Sequence, residues 1–270
     1  MPELPEVETT VRGLAAVLEG RRLVEVTPRR ADLRRAIPED LGQRLTGARV
    51  TRLHRRAKYG LIDTDRGDTL VFHLGMSGRW RIDPDELGKH DHLVLATDDG
   101  HRLALNDPRR FGSLDLLPTA SLSEWKTFGA IGPEPMGGAL TGAWFRDQFE
   151  GRTAAIKLLL LDQRIVACLG NIYVCEALYR ARIDPRKAAG RASNQKLDAL
   201  AVAIPAVLQD AIAAGGSSLR DFAAPDGELG YFSKTFDVYG REGEPCQCGG
   251  KVRRIVQGGR STFYCPACQR

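Results

Sequence analysis

The sequence predicts an α+β protein in which a helix and an antiparallel β-sandwich precede a helical region and a cysteine-rich tail. Short alternating apolar runs, separated by turn residues, fill about 22–117 and are typical of strands. Beyond 142 the apolar residues recur at helical spacing. Four of the six cysteines lie within the last 25 residues. These observations predict a sandwich domain, a helical domain and a small metal-binding tail.

The first helix is predicted over about 2–19. Gly20 supplies a stop, and apolar residues fall at helical spacing at Val7, Val11, Leu14 and Leu18. Removal of Met1 would leave the secondary amine of Pro2 at the N-terminus, and an α-amino group that titrates near about pH 8 is partly unprotonated at neutral pH. Glu3 and Glu6, three residues apart, share a face if they lie in the first helical turn. Taken alone, the segment is more simply a proline-rich helix start with two solvated acids.

The region of about 22–117 predicts the sandwich. Turn signals at 65–67 and 98–100 separate runs that we interpret as strands at 70–74, 93–97, 102–106 and 113–117. Closely spaced strands with tight turns favour antiparallel pairing. Ser121 and Glu124 match a capping box that would open a short helix.

A stretch rich in glycine and proline, 129–142, predicts a hinge between domains. Beyond it we predict helices at about 153–161, 171–181 and 194–214. Pro205 falls inside the last helix and should kink it or remove a backbone hydrogen bond. The predicted domains are 1–130 for the sandwich, 131–142 for the hinge, 143–235 for the helical domain and 236–270 for the tail.

The composition is ordinary for a globular protein, with 43% hydrophobic and 27% charged residues over 270 positions. No apolar run approaches the roughly 20 residues needed to span a bilayer, and no signal peptide is evident. We therefore expect a cytoplasmic protein with no membrane partner.

Basic residues cluster along the chain, although the net charge is only +5. Residues 241–270 contain six Arg or Lys against two Glu, and residues 49–58 contain five basic residues and no acid. Such clusters are typical of phosphate-binding surfaces, but solvated basic faces are also common. Charge alone therefore leaves nucleic-acid binding open.

The cysteines fall into two groups. Cys168 and Cys175 lie in apolar surroundings, where cysteine behaves as a small buried hydrophobe. The remaining four are crowded together in the tail, at Cys246, Cys248, Cys265 and Cys268. In a reducing compartment this pattern favours a metal site over disulfides.

Seven blocks of the sequence resemble the formamidopyrimidine-DNA glycosylases, repair enzymes that excise oxidised purines. They occur in the order found in that family, and they are 1–9 (MPELPEVET), 56–59 (RAKY), 73–78 (HLGMSG), 89–92 (KHDH), 106–112 (NDPRRFG), 170–173 (GNIY) and the cysteine-rich tail. Any one block is weak evidence, but the ordered set is very specific. The resemblance implies a monomer that acts on double-stranded DNA containing oxidised purines or abasic sites, in the cytoplasm and associated with the nucleoid.

The resemblance also implies the catalytic residues. Pro2 would be the nucleophile that attacks the anomeric carbon of the sugar and forms a Schiff base. Glu3 would be the general acid or base at the opened sugar, and Glu6 would help to position it. Lys58 would assist elimination, and Arg260 would act on a phosphate during a second elimination. Without the family, salt bridges would be the simpler roles for the two acids, and Lys58 would be a phosphate contact or a solvated lysine.

The DNA contacts follow in the same way. Met76, Arg109 and Phe111 match the three residues that fill the gap left by an extruded base, with Arg109 bonding the orphaned cytosine. The alternative is a core Met and Phe beside a surface Arg. Further DNA contacts implied by the family are His90, Arg109, Arg152 (lysine in many relatives) and Asn171, which begins the helix–two-turn–helix element. Lys157 is a weaker candidate for a phosphate contact.

The tail resembles the family's structural zinc hairpin with four cysteine ligands. The Cys265–Cys268 pair and the sixteen-residue separation match, but the first pair has one residue between Cys246 and Cys248 where the family has two. A shorter spacer could tighten the loop or weaken the site, because structural zinc sites usually space their cysteines by two to four residues. Zn²⁺ remains the metal that best fits four clustered thiolates.

The resemblance also implies that the loop 217–232 would close over the extruded base.

The sequence therefore predicts a bifunctional DNA glycosylase and AP lyase for 8-oxoguanine and formamidopyrimidines, acting through β,δ-elimination. One alternative is an endonuclease VIII-like glycosylase for oxidised pyrimidines. Such enzymes usually begin Pro-Glu-Gly-Pro-Glu and lack the Arg-Arg-Phe block, so Leu4, Arg109 and Phe111 favour the purine branch. A second alternative is a DNA-binding zinc protein without enzymatic activity.

Overall fold

The computed structural model describes residues 2–217, 224–225, 227 and 230–270. The chain forms two compact units, one of Met1–Gly129 with Ile212–Ser233 and the other of Ala130–Ala211 with Lys234–Arg270. The sequence analysis grouped Ile212–Ser233 with the helical domain, whereas this stretch belongs to the first unit. The two units are therefore interleaved along the chain.

The first helix, α1, spans Leu4–Leu18 and begins two residues later than the sequence predicted. Glu3 is its N-cap and has an extended backbone (φ −108°, ψ −166°), so Pro2 and Glu3 precede the first turn. One face of α1 is buried, as the spacing of its apolar residues predicted. After the helix, Gly20 has a φ of 79°, a left-handed conformation that glycine adopts without steric cost.

The first unit is built on two antiparallel sheets, which confirms the predicted sandwich. The strands are β1 (Leu23–Pro28), β2 (Val50–Arg56), β3 (Tyr59–Thr64), β4 (Asp68–His73), β5 (Arg79–Ile82), β6 (Asp91–Thr97), β7 (Arg102–Asn106) and β8 (Ser113–Pro118), with α2 (Leu41–Leu45) between β1 and β2. One sheet has the order β1-β6-β7-β5, and the other has the order β2-β3-β4-β8. All four predicted strands are present.

A single apolar core lies between the sheets and α1. It combines buried residues of both sheets with Val7, Val11, Leu14 and Leu18 of the helix. The rings of Phe72 and Trp80, one from each sheet, meet edge to face with their centroids 5.5 Å apart. Because α1 contributes to this core, the N-terminal residues are held against a rigid scaffold.

The segment after β8 corrects one prediction. Thr119–Glu124 forms a 3₁₀-helix whose N-cap is Pro118, and α3 follows at Lys126–Gly129. Ser121 and Glu124 therefore lie within the 3₁₀-helix and do not cap an α-helix. The pattern was misleading because the chain enters the tighter helix three residues earlier.

Five of the described helices lie in the second unit ahead of the tail. They are α4 (Gly142–Phe149), α5 (Ile156–Leu160), α6 (Asn171–Arg180), a 3₁₀-helix at Ala189–Arg191, and α7 (Asn194–Ala213), whose last two residues belong to the first unit. The helix α7 continues through Pro205, which has no N–H to donate to the preceding turn. No helix in the described ranges is long and apolar enough to cross a membrane.

The tail forms a β-hairpin of β9 (Arg253–Gln257) and β10 (Arg260–Tyr264), after a 3₁₀-helix at Phe232–Thr235. Glu176 of α6, fully buried, ties this region to the helices. Its carboxylate accepts hydrogen bonds from the backbone N–H groups of Asp237 (2.8 Å), Val238 (3.0 Å) and Tyr239 (2.8 Å). Burial raises the pKa of Glu176, while these three N–H groups act in the opposite direction.

Candidate functional site

The N-terminal acids form a capping box at the start of α1. The backbone N–H of Glu3 donates to Glu6 Oε2 (2.8 Å), and the Glu3 side chain accepts from the backbone N–H of Glu6. Both residues are buried, with 3% and 2% of their surfaces exposed, and Pro2 beside them is also buried. The solvated-acid alternative is therefore wrong: the two carboxylates are ordered next to the residue expected to be the nucleophile.

The other carboxylate oxygen of Glu6, Oε1, accepts hydrogen bonds from a residue to which the sequence analysis gave no role. Ser217 donates to Glu6 Oε1 through its backbone N–H (2.8 Å) and its hydroxyl (2.9 Å). Ser217 is the first residue of the loop predicted to close over the base, and most of that loop lies outside the described residues. No local pattern could reveal this contact, since the two residues are 211 positions apart.

Lys58 lies in the turn between β2 and β3 and is only 8% exposed. Two contacts fix the direction of β2 along α1: Glu19 accepts from the N–H of Leu53 (2.6 Å), and Arg55 Nε lies 3.2 Å from Glu8 Oε2. Moving along β2 toward its end therefore leads toward the start of α1. Lys58 lies at that end of the helix, where Pro2 and Glu3 are found.

His73, at the end of β4, is a half-buried histidine near Lys58. The register of β3 and β4 pairs it with Tyr59, and the two rings are 4.8 Å apart. Burial, and then the Lys58 cation, lower the pKa of His73 to about 4. Its Nδ1 accepts a hydrogen bond from the N–H of Gly75 (3.0 Å), as a neutral imidazole can. Sequence reasoning included this residue in a motif but gave it no role.

The three predicted gap-filling residues lie on two adjoining loops. Met76 and Phe111 are 37% and 43% exposed, and the Arg109 guanidinium lies over the Phe111 ring, 4.9 Å from its centroid. The two loops are in close contact: a Cβ added to Gly75 would lie only 2.3 Å from the carbonyl carbon of Phe111. The exposure contradicts the alternative of a core Met and Phe.

His90 directly precedes β6, beside these loops. Its carbonyl accepts a hydrogen bond from the N–H of Asp107 (2.9 Å), the residue that opens the loop of Arg109 and Phe111. The ring of His90 is half-buried and lies 6.3 Å from that of His92. One surface of the first unit therefore carries four of the predicted DNA contacts.

In the second unit, Asn171 and Arg260 are brought close together. Asn171 is the first residue of α6, and its Nδ2 donates to the carbonyl of Ser261 (2.8 Å), next to the exposed Arg260. Lys157 supports the same strand, since its Nζ donates to Thr262 Oγ1 (2.6 Å). Lys157 is fully buried, which argues against its weaker candidacy as a phosphate contact.

Arg152 lies in the loop between α4 and α5. Its side chain is exposed, and its backbone is held by hydrogen bonds to Phe149 (3.0 Å) and Gly190 (2.9 Å). The structure thus presents a cation on an ordered loop of the second unit. Its role as a phosphate contact stays a prediction.

The four tail cysteines converge on one point, with all four Sγ atoms within 4.8 Å of one another. Cys246 and Cys268 have their sulfurs 3.9 Å apart, and Cys248 and Cys265 have theirs 3.5 Å apart. Thiolates at about 2.3 Å from a tetrahedral zinc ion are separated by about 3.8 Å, so this cluster fits Zn²⁺. The one-residue spacer therefore does not prevent convergence.

Two glycines directly follow Cys248. Gly249 has a φ of 84°, which favours glycine. A Cβ on Gly250 would lie 3.0 Å from the sulfur of Cys265 and 2.7 Å from the Cβ of Ala267. The backbone therefore approaches the metal ligands more closely than any side chain would allow.

Family models match three segments of the chain. The model for the formamidopyrimidine-DNA glycosylase N-terminal domain matches residues 1–114, the H2TH domain of the same enzymes matches 131–223, and a zinc finger found in FPG and IleRS matches 243–270. These matches define the class as a sandwich domain, an H2TH domain and a zinc finger in one chain.

Individual relatives agree over their full length. Formamidopyrimidine-DNA glycosylases of Novosphingobium aromaticivorans and Rhizorhabdus wittichii are 68% and 66% identical to this chain, with 100% of both chains covered in each case. A crystal structure of a Lactococcus lactis FPG mutant with Fapy-dG containing DNA has a TM-score of 0.91 at 35% identity, again with complete coverage. The chain belongs to the formamidopyrimidine-DNA glycosylase family.

Proposed function

We propose that the chain is a bifunctional DNA glycosylase and AP lyase of base excision repair, which removes 8-oxoguanine and formamidopyrimidines from double-stranded DNA. The observation that carries the proposal is the buried start of α1, where Pro2 lies beside the hydrogen-bonded carboxylates of Glu3 and Glu6. The relatives' names and the Fapy-dG and abasic-site DNA in solved structures of Lactococcus lactis Fpg support it.

Base removal begins with the Pro2 amine, once Met1 has been cleaved. The lone pair of the nitrogen attacks C1′ of the damaged nucleotide, the C1′–N bond to the base breaks, and the base leaves with the electron pair. Glu3 transfers a proton at the sugar ring oxygen as the ring opens, which leaves an iminium between Pro2 and C1′. Glu6 holds the backbone of Glu3, and so fixes the geometry of the pair.

Strand cleavage follows from the iminium. It acidifies the C2′ proton, whose removal breaks the C3′–O bond and releases the phosphate on the 3′ side. A second elimination removes a C4′ proton and breaks the C5′–O bond. We assign Lys58 to the first elimination and Arg260 to the phosphate that leaves in the second.

The exposed residues receive the DNA. Extrusion of a nucleotide from the duplex costs stacking energy, which side chains that fill the gap offset. We assign this role to Met76, Phe111 and Arg109, whose guanidinium can donate two hydrogen bonds to the orphaned cytosine. We assign the contacts with the DNA backbone to the side chains of His90, Arg152 and Asn171.

Zinc has a structural role in this scheme. Cys246, Cys248, Cys265 and Cys268 would hold it, and the hairpin so closed carries Arg260. Within this proposal residues 1–130 form the catalytic domain, 131–142 the hinge, 143–235 the helix–two-turn–helix domain and 236–270 the zinc hairpin. The enzyme acts as a monomer in the cytoplasm, at the nucleoid.

Borohydride trapping tests the proposal. The full-length protein, with loss of Met1 checked by intact mass, is incubated with a duplex containing 8-oxoguanine opposite cytosine and then reduced. We expect a stable adduct that maps to Pro2, much less adduct with Pro2→Gly, and reduced elimination with Lys58→Ala. Tight DNA binding without adduct or cleavage would favour the non-enzymatic alternative, and a preference for oxidised pyrimidines in a lesion panel would favour the endonuclease VIII-like one.

A further inference from the structure

Asp107 is a buried carboxylate at the centre of the loops that carry the gap-filling residues. It is 1% exposed and opens the segment 107–112 between β7 and β8. Its Oδ1 accepts the hydroxyl of Ser77 (2.7 Å), and its Oδ2 accepts the backbone N–H of Gly112 (2.8 Å). The Asp107 carboxylate thus links the loop of Met76 to Gly112, at the far end of the segment that Asp107 itself begins.

The main chain of Asp107 reaches a third segment. Its N–H donates to the carbonyl of His90 (2.9 Å), and its carbonyl lies 2.9 Å from His92 Nε2 and accepts the N–H of Arg110 (3.2 Å). Asp107 therefore forms hydrogen bonds with every segment that carries a proposed gap-filling residue. It also bonds the segment of His90, which is proposed to contact the DNA backbone.

Ser77 extends the connection to Arg109. Its hydroxyl oxygen accepts the backbone N–H of Arg109 (3.3 Å) while donating to Asp107. The backbone of the residue expected to read the partner base is thereby linked to Asp107 through one hydroxyl.

The surrounding packing leaves little freedom for these loops. A Cβ on Gly112 would lie 2.8 Å from the carbonyl oxygen of His73 and 3.1 Å from Asp107 Oδ2. Gly75, at a φ of 63°, touches the backbone of Phe111 on the other side. A loss of the Asp107 contacts would therefore change the relative position of two closely fitted loops.

We propose that Asp107 is a positioning residue that sets the geometry of Met76, Arg109 and Phe111, and so determines how strictly the enzyme selects cytosine opposite the lesion. The inference rests on the proposed function. The Gly112 N–H can only donate, so the amide oxygen of Asp107→Asn must face Gly112, and the Ser77 hydroxyl must turn to accept from the amide nitrogen. Asp107→Asn therefore removes the negative charge that strengthens both connections while keeping the shape of the side chain.

The test compares Asp107→Asn with wild type on three substrates: 8-oxoguanine opposite cytosine, 8-oxoguanine opposite adenine, and a preformed abasic site in single-stranded DNA. We expect kcat/KM for excision opposite cytosine to fall about tenfold, the size expected when two buried charge-assisted hydrogen bonds become weaker neutral ones. The preference for cytosine over adenine should fall at least about threefold. Cleavage of the single-stranded abasic site should stay within about twofold, because it has no partner base to read and no stacked base to replace.

Asp91→Asn is the matched control. Asp91 is equally buried in the same unit, and its carboxylate accepts from Arg81 (2.9 Å), Gly88 N–H (2.7 Å) and Asn106 (2.8 Å). It should reproduce any general destabilisation and leave the cytosine preference unchanged. If Asp107→Asn does not fold, Ser77→Ala tests the same connection with a milder change.

Equal losses on all three substrates, an unchanged cytosine preference, or the same change in Asp91→Asn would overturn the proposal. These outcomes are distinguishable from failure of the proposed function, in which wild type itself would not release 8-oxoguanine.

Discussion

Ser217 donates two hydrogen bonds to one carboxylate oxygen of Glu6, through its backbone N–H at 2.8 Å and its hydroxyl at 2.9 Å. The other oxygen of Glu6 accepts the N–H of Glu3 at 2.8 Å. A single buried carboxylate thus connects the segment that enters the 217–232 loop to the acid expected to act on the sugar. The position of that segment and the geometry of Glu3 should therefore vary together.

Replacement of Glu6 by Gln should slow base excision. Glutamine has one acceptor oxygen, so a backbone N–H of Glu3 or Ser217 would face an amide NH₂ and remain unsatisfied, at a cost of about 1–3 kcal/mol. We expect the single-turnover rate on 8-oxoguanine opposite cytosine to fall about tenfold or more. Ser217→Ala removes only the hydroxyl contact and should have a smaller effect in the same direction.

Thr10→Val is the control for this pair. Thr10 is equally buried on α1, and its hydroxyl donates to the backbone carbonyl of Glu6 (2.8 Å) rather than to its carboxylate. This variant should lower the melting temperature without a comparable loss of rate. An equal loss of rate in Thr10→Val would mean that α1 stability, rather than the carboxylate contacts, explains the effect.

Truncation of the proposed gap-filling residues should separate activity from stability. Met76 and Phe111 are 37% and 43% exposed, so Met76→Ala and Phe111→Ala should each lower the free energy of unfolding by about 1 kcal/mol or less. Phe72→Ala, in the fully buried core, should lower it by about 3–5 kcal/mol. Excision measured at saturating enzyme should nevertheless fall about tenfold or more in both exposed variants. A loss of activity that followed stability would contradict the assigned role.

Local patterns in the sequence predicted much of this fold. The apolar spacing of α1, the strands β4, β6, β7 and β8, and the convergence of four cysteines all depend on short-range periodicity or spacing. The start of α1 was placed two residues early because Glu3 is an unusual N-cap, and a capping box with glutamate at both positions was not recognised. Ser121 and Glu124 match the capping-box pattern, but they lie inside the 3₁₀-helix at Thr119–Glu124, so the predicted cap was wrong.

Contacts between distant segments could not be predicted. The partner of Glu6 lies 211 positions away, and Lys157 bonds Thr262 across 105 positions. The sequence therefore offered Lys157 as a weaker candidate for a phosphate contact, although it is fully buried. The roles of Asp107 and His73 are equally hidden, because each depends on which loops meet in the folded unit.

The tail cysteines should bind one zinc ion per chain, and the metal should be needed for the hairpin. Cys248→Ser removes one thiolate and should reduce the metal content measured by mass spectrometry after gel filtration, together with the affinity for abasic-site DNA. Gly250→Ala should do the same more weakly, since its Cβ would lie 3.0 Å from the sulfur of Cys265. Cys168→Ala is the control: this buried cysteine lies outside the cluster, and its loss should leave the metal content unchanged. Full zinc content in Cys248→Ser would contradict the assigned ligand set.

His73 should make stability depend on pH. Burial beside Lys58 lowers its pKa to about 4 in the folded protein, whereas an unfolded histidine titrates near about 6.5. Between these values the unfolded chain binds more protons, so the contribution of His73 to stability is fully present above about pH 6.5 and is lost as the pH falls toward 4. From pH 7.5 to 5.5 this amounts to about 1.4 kcal/mol.

His73→Gln isolates that contribution. Glutamine does not titrate, and its carbonyl oxygen can still accept the N–H of Gly75 that His73 Nδ1 accepts at 3.0 Å. The difference in unfolding free energy between pH 7.5 and 5.5, measured by denaturant titration, should therefore be smaller in the variant by about 1.4 kcal/mol. The imidazole resonance that disappears in the variant should show no titration between pH 5 and 8 in the wild-type NMR spectrum. A resonance that titrates near pH 6.5 would mean that His73 is more accessible than its packing against Tyr59 implies, and the assignment of a neutral acceptor beside Lys58 would then be wrong.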